Sequence, residues 1–347
     1  MYKLRSASIV AILIGTMSAC SSGRGDDIDA ILAAYQGNAV PGAALRIIQR
    51  GRVILTRGYG AAETDSQTPV TAATNFRLAS ITKQFTATSI LMLIEEGLVD
   101  LDTTLPQIFD DFPAYGDNIT VKQVLQHRSG LLDYESIMPE GVTEQAHDSD
   151  VLRMMIESDH TYFEPGSKYR YSNSGYAVLA MIVTKLSGKS FAAFLHERIF
   201  TPVGMKNTVA FEDGVSTVPN RAWGYTVTDG TIEFSDQSPY SAVLGDGGIY
   251  SSLDDLFLWD QAQYRDDLIS AESRVLMQTP ALENYGFGLR IDELNGHQRY
   301  HHAGGTSGFS NFMMRFPELE LTVILLTNRA APSVTPLAEK IVTLYFP

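Results

Sequence analysis

The chain has 347 residues, 44% of them hydrophobic and 19% charged, which is enough for about two domains or one domain with a large insertion. Its 40 acidic residues outnumber 26 basic ones, giving a formal net charge of −14 with no basic tract longer than a pair. That excludes a nucleic-acid partner, because phosphate contacts need clustered Lys and Arg. A single cysteine excludes an intrachain disulfide framework and any Cys-rich zinc or iron–sulfur site.

At the N-terminus, Lys3 and Arg5 precede a nearly all-apolar run, Ala7–Gly15, and small residues then lead to Cys20. A bilayer-spanning helix needs about 20 apolar residues, so this shorter run reads as a secretory signal. Met17-Ser18-Ala19-Cys20 resembles a bacterial lipoprotein signal, with Met17 where Leu is more usual. The resemblance implies a signal peptide over 1–19 and a lipid on Cys20, while Ser21–Asp27 is small and polar, as a tether should be. The expected location is the bacterial periplasm or cell surface, with the membrane reached through the lipid anchor alone. Ser21 in place of Asp leans towards the outer membrane.

Further along, the strand-length apolar runs Ala43–Ile48 and Val53–Tyr59 flank Arg50-Gly51 and predict a β-hairpin. From Ser80 the period turns helical, with Ile81, Phe85, Thr88 and Met92 on a stripe that Gly97 stops. The middle of the chain is mostly helical in short pieces. It carries capping-box patterns at Thr120–Gln123 and Ser252–Asp255 and a strong apolar stripe over Gly175–Leu186. Strand chemistry returns in Tyr285–Ile291, Arg299–Ala303, Phe309–Phe316 and Leu321–Thr327, and a helix over Pro336–Tyr345 closes the chain. Strands at both ends with helices between predict an α/β (α+β) chain, one sheet built from both termini with a helical region inserted.

Three short groups could carry chemistry. In Ser80-x-x-Lys83 the two side chains share a helix face, so the amine can reach the hydroxyl; serine needs such a base, and burial lowers a lysine pKa. Alone, the pair is no more than a common helix start. Tyr171 and Asn173 sit two apart on a loop entering the Gly175–Leu186 helix, an arrangement that also suits a simple N-cap with a packed aromatic. His302 and Gly304 share one strand face, and Gly304, Gly305 and Gly308 leave the backbone open to close approach by a ligand. His301 points to the other face, so His301-His302 is not a metal pair, and no metal or cofactor is expected. His196-Glu197 has Phe200 where a zinc protease needs its second histidine, and Gly305–Phe309 lacks the last glycine of a nucleophile elbow.

Taken together, Ser80-x-x-Lys83, Tyr171-x-Asn173 and His302-x-Gly304, in this order and at these spacings, resemble the class C β-lactamase and penicillin-recognising serine hydrolase family. Phe76–Ser80, His127–Leu131, Gly247–Ser251, Tyr285–Gly288 and Gly304–Phe309 agree with it. The resemblance implies a β-lactamase/transpeptidase-like fold: an antiparallel sheet from both chain ends flanked by helices, and a mostly helical region beside it. It places one hydrolase domain over 28–347, with the sheet part at about 28–110 and 280–347 and the helical part at about 111–279. It also implies Ser80 as acylated nucleophile, Lys83 and Tyr171 sharing proton transfer in an order left open, and Asn173 holding Lys83 and the substrate. His302, Gly304 and Gly305 would bind substrate, with the backbone N–H groups of Ser80 and Gly305 as oxyanion hole. Where β-lactamases usually carry Lys-Thr-Gly, this chain has a neutral His302 and an Ala303 without a hydroxyl, which weakens carboxylate recognition. The expected substrate is therefore an ester or a D-peptide-like amide. The alternatives are a β-lactamase or penicillin-binding protein, and a non-catalytic receptor or scaffold of the same fold.

Overall fold

The computed structural model describes residues 17–347, with side chains from residue 23 onward; the expected signal falls mostly outside the described residues, as does the side chain of Cys20. Six strands form one antiparallel sheet: β1 (Ala43–Gln49), β2 (Arg52–Tyr59), β3 (Arg290–Leu294), β4 (His297–Thr306), β5 (Phe309–Phe316) and β6 (Leu321–Thr327). Their order is β3-β4-β5-β6-β1-β2, so the first strand of the chain lies beside the last, Leu45 opposite Leu325. This is the sheet from both termini that the sequence predicts, and it is antiparallel throughout.

Alternation along the central strands supplies two cores. Ala43, Leu45 and Ile47 of β1 with Leu321, Val323 and Leu325 of β6 face one layer, which contains Ile28 and Leu32 from the N-terminal segment and Val334, Ala338, Ile341 and Val342 from the C-terminal one. Ala44, Ile48, Ile324 and Leu326 face the larger helical side. Burying each large aliphatic side chain contributes about 1.5–3 kcal/mol, so both faces of β1 and β6 anchor the molecule. β2 and β3 are the edge strands, and β2 is largely exposed.

The helices that matter for the site are α1 (Met17–Ile31), α2 (Lys83–Glu95), α3 (Asp148–Glu157), α4 (Asn173–Ser187), α5 (Leu253–Ala262) and α6 (Thr335–Thr343). Thr120 makes the predicted capping box, accepting from the Gln123 N–H at 3.3 Å while Gln123 Oε1 accepts from the Thr120 N–H at 3.0 Å. Ser252 caps α5, but Asp255 turns instead to the Asn207 N–H and the Thr208 hydroxyl, each at 2.8 Å. Two expectations shift. Residues 21–27, read as a tether, lie inside α1, whose last turn seats Ile28 in the core and whose Arg24 lies 5.2 Å over the Tyr345 ring. The strand expected at Tyr285–Ile291 begins only at Arg290, because Gly286 and Gly288 run against backbone: a Cβ on Gly288 would meet the Lys83 carbonyl oxygen at 2.4 Å.

Candidate active site

Ser80 sits on a single 3-10 turn, Ala79–Thr82, that leads into α2. Its position is fixed from three sides. Phe76-Arg77 pairs with Tyr250-Ser251, the Leu78 N–H donates to the Ile249 carbonyl at 2.8 Å, and Asn311 Nδ2 of β5 donates to the Arg77 carbonyl at 2.7 Å. Ala79 is held at φ +51°, a left-handed conformation that costs a non-glycine residue about 1–2 kcal/mol. Strand β4 crosses beneath this turn. A Cβ on Gly304 would lie 2.1 Å from the Leu78 carbonyl oxygen, so the glycine is what lets β4 approach.

Lys83 is fully buried one turn on. Its Nζ lies 3.1 Å from Ser80 Oγ, 2.9 Å from Asn173 Oδ1 and 2.8 Å from the Asp246 carbonyl oxygen. Burial lowers its pKa to about 8, against the opposing pull of the Asp246 and Glu135 carboxylates. Asn173 opens α4, where Ser172 is the N-cap, and its Nδ2 donates to Glu135 Oε1 at 2.9 Å. Burial also raises the pKa of Glu135, and raises that of Asp246 to about 6.

Tyr171 lies with its ring 4.9 Å from Lys83 Nζ, and its buried hydroxyl makes no hydrogen bond among the described residues. Burial pushes this phenol above its usual range, although the neighbouring Ser80 hydroxyl pulls the other way. Its loop rests on His127, whose Nδ1 accepts from the Ser172 N–H at 3.1 Å and whose ring packs 4.3 Å from Tyr171 and 4.4 Å from Tyr285.

A narrow cavity of about 60 Å³ opens above these groups. Ser80, Asn173, Glu135, Tyr240, Gly305 and Thr306 line it, with Arg77 and Asp246 deeper in the wall. His302 and Gly304, expected at the substrate, are not in this lining. His302 is 4% exposed and both its nitrogens are engaged, Nδ1 with the Ala303 carbonyl at 2.6 Å and Nε2 with the Tyr285 hydroxyl at 3.0 Å. The carbonyl can only accept, so Nδ1 carries the proton and Nε2 accepts from Tyr285. Burial, with Lys83 nearby, lowers the His302 pKa to about 3 and keeps the ring neutral. His302 and Gly304 thus support the site from behind, whereas Gly305 faces open space where a Cβ would meet nothing within 4 Å. His301 points away from His302, to Asp292 at 3.1 Å, and among the described residues no three metal-ligating side chains converge.

The family model described as Beta-lactamase matches residues 28–344. The chain belongs to that family. It is 32% identical over 300 residues to a penicillin-binding protein of Bacillus subtilis, covering 80% of this chain and 66% of that one. It is 28% identical over 326 residues to a D-aminopeptidase of Gluconobacter oxydans, covering 90% and 60%. The solved D-amino acid amidase of Ochrobactrum anthropi, complexed with L-phenylalanine amide, superposes with a TM-score of 0.79 at 25% identity, covering 93% and 98%. This Beta-lactamase-family chain therefore spans about three fifths to two thirds of the curated relatives' lengths.

Sequence reasoning missed Glu135, Tyr134 and Asp246 at the cavity. Glu135 follows His127–Leu131 and Asp246 precedes Gly247–Ser251, two stretches already singled out, so position beside a motif was the available signal.

Proposed function

We propose that this chain is a serine hydrolase that forms an acyl-enzyme on Ser80, with Lys83 as the base. The observation that carries the reading is the set of three contacts at Lys83 Nζ. A neutral amine has two N–H donors and one lone pair. With its donors spent on Asn173 Oδ1 and the Asp246 carbonyl, the lone pair is left for the Ser80 hydroxyl proton at 3.1 Å. Burial favours that neutral form, with the amine lowered to about 8, while the Tyr171 phenol moves away from ionisation. Lys83 therefore takes the proton, and Tyr171, beside both groups, relays it to the leaving group. Backbone N–H groups of Ser80 and Gly305 would receive the developing oxyanion.

The acyl donor is best matched by a D-aminoacyl amide or ester with a free α-ammonium. Glu135 reaches the cavity half-buried, its Oε1 taken by Asn173 and its Oε2 without a hydrogen-bond partner among the described residues. Arg77, the remaining cation, is sunk in the wall and donates to the Ser241 and Gly247 carbonyls. The activities for which the D-aminopeptidase and amidase relatives are named agree with this choice. Against a β-lactam, the third motif presents a buried neutral imidazole tied to Tyr285 in place of a cation at the cavity. The test compares D-phenylalanine amide with its N-acetyl derivative. A charge-assisted bond of about 1.5–3 kcal/mol predicts a roughly tenfold to hundredfold preference for the free amine, reduced by Glu135→Gln. Equal turnover of both substrates would overturn the assignment.

The Lys3–Gly15 segment and Cys20 support a lipid anchor and a periplasmic or surface location, the outer membrane being favoured by Ser21. Cys20→Ala should release the protein from the membrane fraction; wild-type protein without lipid mass sinks this part of the reading.

A further inference from the structure

Among the described residues, one buried carboxylate near the site has no cation beside it. Asp148, at the start of α3, is 7% exposed and accepts the N–H groups of Leu244 and Gly245, each at 2.9 Å. The nearby charge is itself negative, on Asp246. A buried anion compensated only by main-chain N–H groups is a costly arrangement, and a neutral acceptor would place less strain on the fold. The two N–H groups belong to the single helical turn Leu244–Gly247. That turn is gripped from its other side by Thr86, whose hydroxyl donates to the Gly245 carbonyl at 2.7 Å. Gly245 packs closely against α4: a Cβ there would lie 2.3 Å from the Tyr176 carbonyl oxygen and 2.6 Å from Ala180 Cβ. The next residue, Asp246, presents the carbonyl that Lys83 Nζ meets at 2.8 Å.

We propose that Asp148 is a positioning residue for the reaction at Ser80: with Thr86 it clamps the 244–247 turn so that the Asp246 carbonyl directs the Lys83 lone pair at the serine hydroxyl. Without that carbonyl in place only Asn173 Oδ1 still orients the amine, and the proton transfer loses part of its alignment. This inference rests on the acyl-enzyme reading. Reach and direction follow from the geometry. Asp148 and Thr86 hold the N–H and the carbonyl of the same residue, Gly245, and neither lines the cavity, so substrate binding is not in their control. Asparagine at 148 offers one acceptor and turns an N–H₂ group towards a main-chain N–H, which releases one end of the clamp. Misplacement of a catalytic group by tenths of an ångström is reflected in the chemical step, where 1 Å costs on the order of 10².

The test measures acylation in the full chain by stopped flow with a neutral p-nitrophenyl ester, separating the rate constant from substrate affinity. Asp148→Asn should slow acylation about tenfold with affinity within twofold of wild type, and Thr86→Val should do the same. The double variant should be little slower than either single, because both release the same turn. Wild-type acylation in folded Asp148→Asn, a loss confined to affinity, or losses that multiply to about a hundredfold in the double variant would each overturn the proposal. Should Asp148→Asn not fold, Thr86→Val decides alone, since wild-type acylation there refutes the clamp. Wild-type protein that never acylates Ser80 refutes the acyl-enzyme reading instead, leaving a different signature.

Discussion

At the scale of single residues, the division of labour proposed for Ser80, Lys83 and Tyr171 rests on burial. Lys83 is enclosed without a direct carboxylate contact, so its charged form is disfavoured and it becomes a base in the neutral pH range. Ser80→Ala should abolish covalent labelling by a fluorophosphonate while leaving the melting temperature near wild type, and persistent ester turnover by that variant would sink the mechanism. For a neutral ester, kcat/KM should climb about tenfold per pH unit on the acid side and level off above about pH 8, where the amine is free. For a donor whose own α-ammonium must be protonated to meet Glu135, the profile should instead be bell-shaped, because an α-amine also titrates near 8. A pair of profiles with the same shape would remove either Lys83 as base or Glu135 as amine ligand.

At the scale of elements, the site is assembled where three pieces of backbone touch: the turn carrying Ser80, strand β4 and the 244–247 turn. Neighbouring glycines in β4 do different jobs there. Gly304→Ala pushes a methyl into the Leu78 carbonyl oxygen at 2.1 Å, an overpacking that costs about 1–3 kcal/mol and displaces the turn carrying Ser80. Gly305→Ala projects into open space and should fold normally while crowding the substrate. Melting temperature should therefore drop by a few degrees for the first and hardly for the second, with activity reduced in both; the reverse order in stability would show that β4 is misplaced. These contacts also mark what the sequence discloses. The hairpin, α2 and α4 were legible because their periods of two and 3.6 are local properties, and Ser80, Lys83 and Asn173 were legible because motif order survives over long spacings. Glu135, Asp246 and Asp148 were not, since each matters through a partner 38 to 163 residues away that no local pattern encodes. His302 shows the converse error. Its motif was read correctly, but only the fold reveals that Tyr285 holds the ring out of the cavity.

Across the whole molecule, the same burial that tunes the site tilts the pH dependence of folding. His127 and His302 are held neutral by burial, their pKa values lowered, so the stability they contribute is present above their ordinary 6.5 and lost as pH falls. Asp148 works in the opposite sense. Burial raises its pKa to about 7, so its contribution is fully present below the ordinary carboxylate value near 3.9 and lost as pH rises through about 7. The ionised form that clamps the 244–247 turn is thus the form folding disfavours, so above about pH 7 this residue weakens the fold. That is the sign expected of a group kept for positioning and not for stability. The two sets oppose each other between about pH 4 and 7, so the melting temperature of the wild type alone does not isolate either. The difference between wild type and Asp148→Asn does, because asparagine does not titrate. That difference should move in favour of wild type by on the order of 1–4 kcal/mol as pH is lowered from 8 to 4. Denaturant unfolding of the two proteins at several pH values measures it, and a constant difference would mean that Asp148 titrates normally and carries no cost for the clamp to justify.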